Sequence, residues 1–510
     1  MTHDFHYYVT FMCARNAGFD QKTSREIALC ADAVDGGNPK CAQQRSNKFK
    51  EVQTIGKKGY RPLTVYNMGH SVNMKHSIGG SIVSIPWMAF HFLPSLQVGA
   101  KGLKVDKNDY RIVRETPGRK TPVFARGDNP RTSKDELRLS QVLENGLICT
   151  QNSLFAKKLI ADTSKAAFSL NPAEKAAFLG VRAHIIADLF AHEGFAGCRS
   201  VNVNALEHAY TENEEARAKN KPFCLAYTLA MAAGASTVKV TKAGRLGHGQ
   251  AGQRPDEPFV KFAFKRVKGE GGTLFKDNYD LFGRALMAVT EVLRGRDIEK
   301  LGKQYEDWYK FEDKENYIYK WKHIRSGMNQ SRENRRLFLR FLILSTENEG
   351  CDTNDSRFFD PDLHDGSDYW AFDKMSAALL SQFSMAADGH LKWFHDTFYE
   401  LSRCTIDQYM QVSVLWPFQD DDDWHAIEIN RELVGMPETK IELKGTHGKA
   451  GLTGADATNF DYGPISGTQI GAHYMKSQIK QGPDKREKRE VAEALKPSDV
   501  YAKMDSRLTL

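Results

Sequence analysis

The sequence predicts a mainly α-helical protein, and three observations carry that expectation. Asn171 to Gly197 (NPAEKAAFLGVRAHIIADLFAHEGFAG) has a complete set of helix punctuation: Asn171 at the N-cap, Pro172 in the first turn, Glu174 at the third position and Gly194 as the stop. Tyr279–Arg294, Gln330–Glu347 and Asp373–Ser402 repeat apolar residues with the helical period. The N-terminal stretch reads as two more helices. Asp4–Ala17 is stopped by Gly18, and a second helix starts at Thr23, with Glu26 as its capping-box partner, and runs to the Gly36-Gly37 break. The basic, Gly- and Pro-bearing stretch Lys101–Lys134 reads instead as a strand-and-loop excursion.

A chain of 510 residues is long enough to bury a large core. The composition changes after Glu347 to CDTNDSRFFDPDLHDGSD, which divides the chain into a helical domain, 1–347, with a loop insertion at about 99–134, and a mixed or helical C-terminal extension, 348–510. Hydrophobic residues make up 41% of the chain. The mean hydropathy of -0.52 fits a soluble protein. A net charge of +7 does not by itself imply nucleic acid. The start lacks the basic and apolar pattern of a secretory signal, so the expectation is a cytoplasmic protein, with signal-independent secretion as the other route. Eight cysteines without a C-x-x-C pair read as reduced thiols. The apolar stretch Ile78–Ala100 is interrupted by Pro86, His91 and Pro94 and reads as buried or interfacial, not transmembrane. No phosphate loop, dinucleotide fingerprint or nucleophile elbow is present.

The chemistry concentrates on the central helix. His184, Asp188 and His192 are spaced four apart, which stacks three metal-type ligands on one face. Each alone has an ordinary explanation as a hydrogen-bonded core residue. Together, among Phe178, Val181, Ile185, Ile186, Leu189 and Phe190, they place charge in an apolar layer, which is costly unless a cation or partner compensates. Further candidates surround this helix in sequence. Asp4 reads as an N-cap or a ligand, and His6 as a ligand in the first turn. Asp32 and Asp35 fall at a helix C-terminus, where the dipole disfavours carboxylates and a cation would favour them. His91, among Trp87, Phe90 and Phe92, needs a partner, which is either a metal or a backbone carbonyl. His248 in Gly247-His-Gly-Gln250 is either a turn residue or a ligand reaching in from a loop.

In order, DFHYY, ADAVDG, FHFLP, HIIADLFAHEGFAG and GHGQAG resemble an uncharacterised helical family of bacterial and fungal proteins, itself distantly similar to zinc-dependent phospholipases C and single-strand nucleases. The resemblance covers about Asp4–Arg294. It implies an all-helical phospholipase C-like core holding two or three zinc ions, with His6, Asp35, His91, His184, Asp188, His192 and His248 as ligands. Asp188 would bridge two ions, and Asp35 and Asp188 would be the catalytic carboxylates. In those enzymes the chain's own N-terminal amine is also a ligand, a role that Asp4 would take if the start is displaced. Gly252 stands where the family has Glu four residues after the loop histidine, and Asp256 is the carboxylate available in its place.

The function this implies is a metal-dependent phosphodiester hydrolase, phospholipase C-like, that cleaves phospholipids with a zinc-activated water and touches the membrane only peripherally. Two alternatives stay open. One is a single-strand nuclease-like phosphodiesterase, for which stacked aromatics with Lys and Arg at the cleft would be expected. The other is a non-catalytic, metal-stapled helical scaffold that binds a partner protein.

Overall fold

The computed structural model describes residues 1–37, 64–65, 68–69, 85–96, 146–151, 153–198, 203–212, 247–258, 260–266, 273–295, 332–347, 362–402, 406, 409, 424–427 and 441–444. The expected insertion at 99–134 lies outside the described residues.

The chain enters through a π-helix, Asp4–Val9, that runs directly into α1, Thr10–Asn16. Helix α2 spans Gln21–Gly36. Its cap is Asp20 and not Thr23: Asp20 Oδ1 accepts the Thr23 N–H at 2.8 Å, so the helix begins three residues earlier than expected. Helix α3, Ile85–His91, is buried throughout, which fits the buried reading of this apolar stretch. Helix α4 spans Leu154–Ser169 and α5 spans Pro172–Ala191.

In α5 the Asn171 side chain accepts the Glu174 N–H at 3.0 Å, and Pro172 opens the first turn. From Ala176 to His192 every residue is buried, including Arg182, His184, Asp188 and His192 among the apolar ones. His192 is the C-cap, and Gly194 at φ +90 turns the chain away. Around α5 pack α2, α3, α4 and two helices from later in the chain: α6, Asn278–Leu293, and α9, Ala377–Ser402. Between these two lie α7, Arg332–Glu347, and the short α8, Trp370–Lys374. Residues of α8 and α9, which the sequence assigns to a C-terminal extension, bury into the same core as α2, α5 and α6.

The fold is mainly α-helical with a small open sheet. Strands β1 (Leu206–Thr211), β2 (Lys261–Arg266) and β3 (Thr273–Asp277) pair antiparallel in the order β1-β2-β3. A hairpin-like pair, β4 (Trp424–Ile427) and β5 (Ile441–Lys444), follows. The sheet was not expected from the sequence. It buries Phe262 and Phe264 against Trp87, Phe92, Phe195 and Ala251, a second apolar cluster beside the end of α5. From β3, Lys276 Nζ donates to Ala191 O at 2.6 Å and Glu193 O at 3.0 Å. A cation thus meets the exposed carbonyls at the C-terminus of α5 and holds the turn that follows His192. Cys13, Cys30, Cys149 and Cys198 are buried, and among the described residues none is in a disulfide. Among the described residues no helix is long and apolar enough to cross a membrane.

Candidate metal centre

Five elements converge on the polar face of α5. The π-helix supplies His6, the end of α2 supplies Asp35, and the end of α3 supplies His91. Helix α5 and its cap supply His184, Asp188 and His192, and the loop 248–256 supplies His248 and Asp256. Their ligand atoms fall into three groups that could hold a metal ion: His6/His184/Asp188, Asp35/His91/His184 and His192/His248/Asp256. The Asp188 carboxylate lies between them. Its Oδ1 is 2.6 Å from the Met1 nitrogen and 3.4 Å from His6 Nε2. Its Oδ2 is 2.9 Å from His91 Nδ1 and 3.1 Å from His184 Nε2. Asp35 stands further back: Oδ1 is 3.8 Å from both His91 Nδ1 and His184 Nε2, and Oδ2 is 3.8 Å from His6 Nε2. In the third group Asp256 Oδ1 is 3.0 Å from His192 Nε2, and Oδ2 is 3.3 Å from His248 Nε2.

The hydrogen bonds on the far side of each ring decide what these distances mean. A carbonyl oxygen can only accept, so a ring nitrogen bonded to one must carry the proton. His184 Nδ1 donates to Ala31 O at 2.8 Å, His91 Nε2 to Met68 O at 2.8 Å, His192 Nδ1 to His91 O at 2.6 Å and His248 Nδ1 to Gly252 O at 2.8 Å. In the neutral rings the opposite nitrogens are then bare lone pairs. They point at one another, 3.1 Å for His184 Nε2 and His91 Nδ1, and at carboxylate oxygens. Acceptors facing acceptors repel unless protons or a cation lie between them. Around a tetrahedral zinc with bonds of about 2.0–2.1 Å, neighbouring ligand atoms sit about 3.3 Å apart, which matches these separations. Main-chain carbonyls that fix the tautomer are also the usual outer partners of metal-ligating histidines.

His6 adds an orphan. Neither of its ring nitrogens has a hydrogen-bond partner among the described residues, although the ring is buried and stacks on His184 at 3.8 Å between centroids. Burial, with His184 and the Met1 nitrogen nearby, lowers its pKa from 6.5 to about 4, so the ring is neutral and offers a lone pair. Burial alone would raise Asp188, but positive charge on His192, the Met1 amine and His184 overcomes it and holds the carboxyl well below the usual range, so without an ion it is protons on these groups that offset the anion. Burial likewise opposes ionisation of Asp256, and His248 and the Met1 amine outweigh it. These carboxylates are anionic in a site lined by imidazoles and backed by aromatic side chains.

The surroundings hold the rings in place. Phe92 stacks on His192 at 4.3 Å and 11°. Gly247, at φ +54, lets the loop lie against Trp87 and Phe92, where a Cβ would come within 2.6 Å of the indole ring. His248 is thereby brought beside His192. The His248 and Asp256 side chains are 12% and 15% exposed while the rest of the ligand set is nearly closed off, so solvent meets the centre on this side.

The structure brings His6, Asp35, His91, His184, Asp188, His192 and His248 together, and Asp256 with them. His91 satisfies both of its expected partners at once, a carbonyl on one nitrogen and the ligand cluster on the other. Asp4 stands apart from these groups. Arg335 Nε takes one of its oxygens at 2.8 Å and Arg336 Nε the other at 3.3 Å, so the carboxylate offsets cations of α7. Sequence reasoning missed a fourth grouping, His3/Asp32/His364. Asp32 carried a signal in its place at a helix end, but His364 lies 332 residues further along and has no local pattern to mark it.

Comparison with known proteins adds one finding. A family of unknown function (DUF6765) matches residues 1–426, a span that includes every residue of the centre and His364. The chain belongs to that family. No curated protein and no solved structure matches it.

Proposed function

We propose that this protein is a metal-dependent phosphodiester hydrolase, similar in its site to zinc-dependent phospholipases C, acting on phospholipids. The observation that carries this reading is the set of four imidazoles whose outer nitrogens are spent on main-chain carbonyls while their inner nitrogens face carboxylates. Mixed imidazole and carboxylate donors suit zinc.

Asp35, His91, His184 and Asp188 Oδ2 would hold one ion. His6 and Asp188 Oδ1, with His184 beside them, would hold a second, and His192, His248 and Asp256 a third. Bound zinc would lower the pKa of water towards neutrality and neutralise charge on phosphoryl oxygens. Asp188, shared by two groups, sets the spacing between them. The third group has three protein ligands and the most exposed side chains, which suits a position kept for water or substrate. Asp35 is the carboxylate set furthest from the rings, and it would serve as the general base for a bound water. Phe92 and Trp87 exclude bulk solvent behind His192 and His248, which strengthens the field of the carboxylates.

The test is metal analysis of the purified full-length chain, then assay on phosphatidylcholine vesicles and on single-stranded DNA, before and after chelation and zinc restoration. Diacylglycerol release that follows zinc content supports the reading. Cleavage of DNA alone replaces it with the nuclease alternative. Metal without hydrolysis of either substrate leaves the scaffold, and absence of metal removes the proposal.

A further inference from the structure

We propose that His3, Asp32 and His364 form a positioning clamp that sets how the N-terminal π-helix, and His6 on it, meets the metal centre. The inference rests on the metal-binding reading above and deepens it.

The arrangement is a ladder between two elements. His3 and His6 are three residues apart at the start of the chain, and Asp32 and Asp35 are three apart on α2, so each pair shares one face. One rung joins His3 Nδ1 to Asp32 Oδ1 at 2.8 Å, and the next sets His6 Nε2 3.8 Å from Asp35 Oδ2. The first is a finished hydrogen bond, and the second is a gap between two ligand atoms. His364 completes the upper rung from the other side, with Nε2 3.0 Å from Asp32 Oδ2.

Although their ligand atoms are close enough for an ion, the three residues are not arranged to hold one. His364 Nδ1 accepts the Gly366 N–H at 2.9 Å, so the ring proton sits on Nε2 and is donated to Asp32. That is the opposite tautomer logic from His91, His184, His192 and His248. Each Asp32 oxygen thus has one imidazole donor, and the buried carboxylate is satisfied without a metal. The His3 and His364 rings stack at 4.4 Å, and the His364 ring lies 4.4 Å from that of Trp370.

The clamp ties a distant segment to the start of the chain. The His364 N–H donates to Tyr8 Oη at 2.9 Å, Tyr8 Oη donates to Asp362 O at 3.2 Å, and Asp362 pairs with Arg25 of α2 at 2.6 Å. Tyr8 lies on the same π-helix as His6. Among the described residues the His6 ring has its stack on His184 but no hydrogen bond to fix it, so its place depends on what holds the backbone one turn away. The clamp does so before any ion arrives, which lowers the ordering cost of binding.

The experiment uses the full-length protein and three variants, with zinc affinity of each equivalent measured by chelator competition at a temperature where circular dichroism shows all of them folded. His364→Phe keeps the ring stack and removes the donor to Asp32, and His364→Gln restores a donor. Phe383→Leu perturbs the same core without touching the clamp. The expected result is a loss of roughly ten- to a hundredfold in affinity for one zinc equivalent in His364→Phe. Recovery in His364→Gln and unchanged affinity in Phe383→Leu complete it. Should His364→Phe not fold, Tyr8→Phe, which releases the segment without touching Asp32, carries the same expectation. Wild-type affinity at every equivalent in the clamp variants overturns the proposal. Loss of a separate equivalent with the others unchanged also overturns it, since the cluster would then be a metal site itself. A wild-type protein that binds no zinc fails the metal reading instead, and is told apart by that measurement alone.

Discussion

Replacing Gly180 with alanine tests whether the contact between α5 and α2 sets the geometry of the candidate metal centre. A Cβ at Gly180 would lie 2.5 Å from Ile27 O, 2.5 Å from Cys30 Cβ and 3.1 Å from Ala31 N. Ordinary contact begins at 3.4 Å, so the two backbones must part by about 0.9 Å at this point. One turn further along α5, His184 Nδ1 donates to Ala31 O at 2.8 Å. The same displacement would stretch that bond to about 3.7 Å, beyond hydrogen-bonding range. His184 would lose the partner that turns its Nε2 onto Asp188, and α2 would carry Asp35 away with it. Alanine is the better helix former by up to about 1 kcal/mol, but overpacking costs about 1–3 kcal/mol, so the net effect is destabilising. Metal affinity is expected to fall roughly ten- to a hundredfold, the scale of losing an outer partner of a ligand. Chelator competition and a thermal melt of the metal-free protein measure the two effects. A Gly180→Ala protein with wild-type affinity and an unchanged or raised melting temperature would refute this account of helix spacing.

Two other outcomes follow from the buried charges. Asp188→Asn keeps the shape but removes the anion that faces the Met1 nitrogen, His6, His91 and His184, so metal content and hydrolysis are expected to fall together, with about 3–5 kcal/mol of stability lost because buried partners are left uncompensated; full occupancy and normal turnover would contradict it. His395 on α9 is buried, its Nε2 has no partner among the described residues, and burial lowers its pKa from 6.5 to about 3. The unfolded chain therefore takes up this proton first as pH falls. The stability held by neutral His395 is complete above pH 6.5 and drains away between there and about 3. At pH 5 the loss is about 2 kcal/mol, and His395→Gln should show a correspondingly smaller drop in melting temperature between pH 7 and pH 5. An equal drop in both proteins would exclude His395 as a source of acid sensitivity.

The local signals of the chain were legible where the physics is local. Asn171, Pro172, Glu174 and Gly194 bracket α5 because capping depends on residues within one turn of each other. The misplaced start of α2 shows the limit of that rule, since Asp20 and Thr23 are both good caps and only the backbone entering the helix selects between them. The sheet was missed although Lys261-Phe-Ala-Phe-Lys265 alternates with the period of a strand. A run so short competes poorly with the helical patterns around it, and its apolar side acquires meaning only from Trp87 and Phe195, far away in sequence.

The sequence by itself determined that His184, Asp188 and His192 share a face, because their spacing equals the helical repeat and the caps enforce the helix. It also pointed to a buried face, since Phe178, Val181, Ile185, Ile186, Leu189 and Phe190 crowd around it. Only the tertiary structure decided which further groups meet it. Asp4 and His6 are neighbours on one π-helix, yet Arg335 draws Asp4 away while His6 stacks on His184. Only the tertiary structure, too, decided the tautomers, through Ala31, Met68, His91 and Gly252 carbonyls that no local pattern links to the rings they fix. The physical reason is range. Helix periodicity and capping act over a few residues, whereas ion pairing and hydrogen bonding in a buried site depend on which backbones the packing of the core brings within about 3 Å.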